Sequence, residues 1–94
     1  MNVRQRMKIV DACRITGRGE AIITDELFTR GEFMTLQAKK KVRIAMEDRV
    51  LEMDMLGAEA VLKTDGRDVL GFLVPFFVDE KLRTLIVNRQ IEVI

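Results

Sequence analysis

Arg14-Ile15-Thr16-Gly17-Arg18-Gly19-Glu20-Ala21-Ile22-Ile23, RITGRGEAII, places two glycines around an arginine between two apolar runs. One reading is a glycine loop that cradles phosphate, the other a tight turn between two strands. A dinucleotide loop needs Gly-x-Gly-x-x-Gly leading into a helix. Here Ile22 stands at the third glycine position, and Glu20 to Thr24 is rich in β-formers. An apolar run, a glycine turn and a second apolar run spell a β-hairpin.

Working outward, Met7 to Thr16 reads as the first strand, with Ile9, Cys13 and Ile15 sharing one face at a period of two. Asp11 interrupts that face, as a bulge, a strand edge or a local turn partner would. Asp25 to Phe33 reads as a connection, and Met34 to Leu36 as a short strand. Val42, Ile44 and Met46 alternate with Lys41, Arg43 and Ala45, and Leu51, Met53 and Met55 alternate with Glu52 and Asp54. Both patterns describe half-buried strands. Ala58 to Lys63 holds good helix formers but is too short for a firm helix. Thr64-Asp65-Gly66 is a turn signal. Val69 to Val74 is a central apolar strand that Pro75 ends. Thr84 to Val87 and Ile91 to Ile94 read as the last strands. About six to seven short strands at such spacing predict an all-β fold, a small antiparallel closed barrel. The 94 residues suit one domain, with 1–6 as a disordered N-terminus.

Composition narrows the function. Sixteen basic and fifteen acidic residues lack the basic excess of a nucleic-acid module. A single cysteine, Cys13, forbids an intrachain disulfide and suits a reducing compartment. Cys13 reads as a buried small hydrophobe. The sequence has no histidine, which removes the commonest general base and metal ligand. No apolar run reaches the roughly 18 residues that span a membrane, and the N-terminus lacks a signal-peptide pattern. These features predict a cytoplasmic protein that is not an enzyme and holds neither metal nor cofactor.

Asp11-Ala12-Cys13-Arg14-Ile15-Thr16-Gly17-Arg18-Gly19 resembles the first hairpin of the second domain of elongation factor Tu and related translational GTPases. Weaker likeness runs on through Arg30-Gly31, Lys41-Val42-Arg43-Ile44, Val50-Leu51-Glu52-Met53 and Gly66-Arg67-Asp68-Val69 to Phe72-Leu73-Val74. The charged stretch Val78 to Arg83 stands where that domain leads into its last strand. The resemblance implies a small antiparallel β-barrel, here a free-standing divergent copy lacking the GTPase domain. Lys39-Lys40 and Thr24-Asp25 replace the glycine-containing turns of the family pattern.

Four binding readings follow. Arg18 occupies the place of a family arginine near an interdomain surface, so a separate protein partner would supply that surface. Glu52 matches a glutamate that helps form the pocket for the 3′ end of aminoacyl-tRNA, although a nearby family arginine falls on Met55. Lys39, Lys40, Lys41 and Arg43 put four cations within five residues, a possible RNA contact linked to ribosome or tRNA. Phe76 and Phe77 are adjacent, so on a strand they point to opposite faces. Either the C-terminal segment covers the outer one, or a second copy does, making a homodimer.

Overall fold

The computed structural model describes residues 6–25, 30–62 and 68–94. Residues 1–5, Phe28 and the expected Thr64-Asp65-Gly66 turn lie outside them. Among the described residues are seven strands: β1 (Arg6–Ile15), β2 (Gly19–Thr24), β3 (Lys41–Ala45), β4 (Val50–Asp54), β5 (Gly57–Leu62), β6 (Asp68–Val74) and β7 (Gln90–Val93). Two helices accompany them, α1 (Arg30–Gln37) and α2 (Leu82–Leu85). The antiparallel sheet runs β4-β3-β7-β1-β2-β6-β5.

The opening hairpin is confirmed in detail. Arg18 N–H donates to the Ile15 carbonyl at 3.0 Å, closing a turn. Gly17 sits at its third position with φ 80°, which a side chain would disfavour. Gly19 has φ 146°, and a Cβ there would run into the Val74 carbonyl oxygen. The two glycines therefore serve turn geometry and the close approach of β6.

β1 is long because it serves two half-sheets. Its first residues pair with β7 and its later ones with β2. The register slips between Ile9 and Asp11, so the interruption at Asp11 is a bulge. The bulge changes the parity of the strand. Ile9 points into the core, whereas Cys13 is exposed and Ile15 half-buried on the outer face. The expected shared face of Ile9, Cys13 and Ile15 is thus broken, and Cys13 is not a buried hydrophobe.

Two segments read as strands are helical. Met34 to Leu36 falls in α1, where Phe33 and Leu36 share a face at helical spacing and Leu36 is buried. Thr84 to Val87 meets the end of α2, where Leu82 and Ile86 are four apart and both buried. Asn88 then takes φ 71°, a left-handed turn that asparagine tolerates. Its N–H donates to the Ile9 carbonyl at 2.8 Å, returning the chain to β1. Ala58 to Lys63, with its helix formers, is strand β5 through Leu62 because β6 supplies a ladder.

The two edges of the sheet meet at one corner. Met55-Leu56 alone links β4 to β5, and three Cα steps span at most about 11 Å. Met55 N–H donates to Lys40 in one half, and Leu56 N–H to Leu73 in the other. The sheet is therefore rolled around a core of Met7, Ile9, Ile22, Ile44, Phe72 and Ile91. The expected closure is not made: no ladder joins β4 to β5 among the described residues. Both edge strands are held by their links to one half each, and α1 lies beside β5, with Gln37 Nε2 donating to the Ala58 carbonyl at 3.3 Å.

Candidate functional site

The rolled sheet has two outer faces of different chemistry. Across β4, β3, β7 and β1, register aligns Glu52, Arg43, Glu92 and Arg6 in one row. Arg43 lies 3.1 Å from Glu52 and Arg6 lies 3.4 Å from Glu92. The charges alternate strand by strand, as suits a face in water. Beside this row lies a shallow 290 Å³ depression between Arg6 and Arg43, floored by Ala45 and Val50.

Across β1, β2 and β6 the outer face is apolar. Cys13 pairs with Ala21 and Ala21 with Leu73; Asp11 pairs with Ile23 and Ile23 with Gly71. Small residues in the middle, flanked by Ile15, Ile23 and Leu73, leave a depression of 180 Å³. Its rim is charged. Arg18 reaches from the hairpin tip to Glu59 on β5, Nη2 to Oε1 at 2.8 Å. Asp11 stands exposed at the other end, its Oδ1 accepting the Ala12 N–H at 2.8 Å.

A third cluster covers one end of the rolled sheet. Glu20, at the same strand parity as the buried Ile22, is 0% exposed. Arg83 donates to it twice, Nε to Oε2 at 2.7 Å and Nη2 to Oε1 at 3.1 Å. The Phe77 N–H donates to Oε1 at 3.4 Å. Burial pushes the Glu20 pKa up, but the Arg83 hydrogen bonds, the Phe77 N–H and the charges of Arg83 and Arg14 together hold it below the ordinary value. Arg14 lies 4.6 Å above the Phe76 ring and 3.6 Å from Glu80. This cluster anchors the crossover from β6 to β7, and none of its buried side-chain polar atoms lacks a partner.

The residues singled out in the sequence are distributed among these three places. Arg18 is on the rim of the apolar depression. Glu52, Lys41 and Arg43 come together, with Glu52 accepting from Arg43 and lying 3.5 Å from Lys41. The Arg43 hydrogen bond, opposed by partial desolvation and aided by the charges of Arg43 and Lys41, lowers the Glu52 pKa. Two cations of the run thus share one carboxylate within the sheet. Lys40 is exposed and Lys39 half-buried. Phe76 and Phe77 do point opposite ways: Phe77 joins the core and Phe76 stays 42% exposed. Phe77 is therefore withdrawn from any partner surface, because Leu82 and Ile86 of the crossover complete the core around it.

Sequence reading missed Glu20, Arg83, Glu59 and the outward Ile15 and Ile23. Only Glu20 carried a signal, a carboxylate at core parity in an apolar strand. Among the described residues, no group of three or more metal-ligating side chains forms, and no helix is long and apolar enough to cross a membrane. The chain matches no family model, no curated protein and no solved structure.

Proposed function

We propose that the chain is a non-enzymatic binding module that engages a protein through the outer face of its first hairpin. The observation that carries this reading is the apolar 180 Å³ depression with the Arg18–Glu59 pair on its rim. An apolar centre inside a polar rim is the anatomy of a protein-binding patch. The opposite outer face serves as an internal control, since it belongs to the same sheet and is written in alternating charge. Arg18 at the rim fits the partner role that the hairpin's resemblance to the second domain of translational GTPases implies. A barrel of that kind, in the cytoplasm and associated with translation, is the setting this reading favours.

The test is capture from extract of the source organism, with and without nuclease. Ala21→Glu places a carboxylate in the depression, and Ala45→Glu places one on the charged face. The expected result is one stoichiometric protein that survives nuclease, is lost with Ala21→Glu, weakens with Arg18→Ala and persists with Ala45→Glu. Equal capture by both glutamate variants would overturn the reading. Capture that vanishes with nuclease would move the function to Lys39 and Lys40.

A further inference from the structure

We infer that the depression takes Phe76 of a second copy, giving a head-to-tail contact that does not close on itself. This rests on the reading of the outer hairpin face as a docking surface, and it names the occupant. The depression is a hole without a matching bump: Cys13, Ala21 and Gly71 are small, and Ile15, Ile23 and Leu73 stand around them. Two such faces meeting across a two-fold axis would set bulky edge against bulky edge and leave the middle empty. A convex apolar group fits instead. The protein presents one at Phe76, 42% exposed, with Val78 fully exposed two residues on.

Size and charge agree with this pairing. An apolar cavity of about 150 Å³ holds one benzene ring, and the depression offers 180 Å³. Arg14 rides on the Phe76 ring, 4.6 Å from its centre, so the bump arrives with a guanidinium attached. Asp11, exposed and in register with the lining residue Ile23, stands beside the hole to meet it, while Glu59 in the lining is held by its own Arg18. Placement agrees as well. Arg14 and Cys13 are consecutive on β1 and so project to opposite faces. Phe76, beneath Arg14, therefore lies away from its own molecule's hole. One copy can fill a neighbour's hole while its own is filled, which is a heterologous contact that propagates.

The experiment is analytical ultracentrifugation of the full chain and two variants. Phe76→Ser removes the bump, and Ala21→Glu blocks the hole. Cys13→Lys is a second hole variant should Ala21→Glu not fold, with folding read by circular dichroism. The wild-type average mass should rise with concentration past that of a dimer. Each variant alone should sediment as a monomer. A 1:1 mixture of the two should give a dimer that grows no further, since one hole and one bump remain competent. A wild-type monomer at the highest concentration, or a dimer that stops growing, overturns the inference. If the wild type is monomeric yet Ala21→Glu still loses a captured foreign protein, the docking face stands and only its occupant was wrong. If Ala21→Glu changes neither capture nor assembly, the docking face itself falls.

Discussion

Glu20 shows how one side chain can organise a fold and still escape a reading of the sequence. Its parity with Ile22 and Thr24 marks it as inward-facing, but its cation lies 63 positions away, beyond a helix that local pattern does not reveal. A carboxylate with 0% exposure is tolerated only because Arg83 and the Phe77 N–H satisfy it. Arg83→Met should leave that carboxylate buried without its cation and lower folding stability by about 3 kcal/mol, measured by urea unfolding. The pH dependence gives a sharper check. The folded pKa of Glu20 is lowered, so its contribution is complete above the ordinary glutamate range and is lost as pH falls through the folded value. In Arg83→Met, burial, the largest contribution, is opposed only by the Phe77 N–H and the charge of Arg14, and the folded pKa rises. The variant's Glu20 contribution should then diminish as pH rises through the ordinary glutamate range, reversing the sign of the slope between the two proteins. Gly19 offers a second residue-scale test. Gly19→Ala combines a strained φ with a collision against the Val74 carbonyl, and should cost about 2–3 kcal/mol. Gly17→Ala meets no neighbour within 4 Å and should cost less, about 1 kcal/mol from the backbone alone.

Elements with strict alternation were legible, and those that depend on distant partners were not. β3 and β4 could be read because Val42 and Ile44, and Leu51 and Met53, alternate with charges on a face that water sees. β1 could be read as a strand but not as to which side faces inward. One extra residue at the bulge turns every later side chain over, and Asp11 marked the interruption without showing that Cys13 and Ile15 turn outward beyond it. The Leu82 to Val87 stretch shows the opposite failure. A run of Thr, Leu, Ile and Val has strand propensity, yet the crossover must place Leu82 and Ile86 together over the end of the rolled sheet, which a helical turn does. Alanine substitutions distinguish the two arrangements. Leu82→Ala and Ile86→Ala should each destabilise by about 2–4 kcal/mol, while Leu85→Ala, half-exposed, should stay within about 0.5 kcal/mol. A strand over Thr84 to Val87 would instead group Leu85 with Val87 on one face.

At the scale of the whole molecule, the open seam is the feature that distinguishes this sheet from the closed barrel its strand count suggested. Closure is decided by the register of seven ladders and the tilt of the strands, and no residue in β4 or β5 announces it. What the sequence did contain is protection of an edge. β4 is five residues long and carries Glu52 and Asp54 outward, so a second β4 approaching antiparallel about Glu52 would oppose two carboxylates. β5 is flanked by α1 through Gln37. The central strands β7, β1 and β2 have ladders on both sides, whereas β4 and β5 have one each. Local opening should therefore begin at the seam, on both sides of the Met55-Leu56 corner, before the centre yields. Native-state hydrogen exchange followed by NMR tests this directly. Amides of Val50–Asp54 and Gly57–Leu62 should exchange by local opening, with protection well below the global value. Those of Met7, Ile9, Ile22 and Ile91 should exchange only with global unfolding. Equal protection at the seam and the centre would mean that β4 and β5 are laddered in solution and that the barrel closes after all.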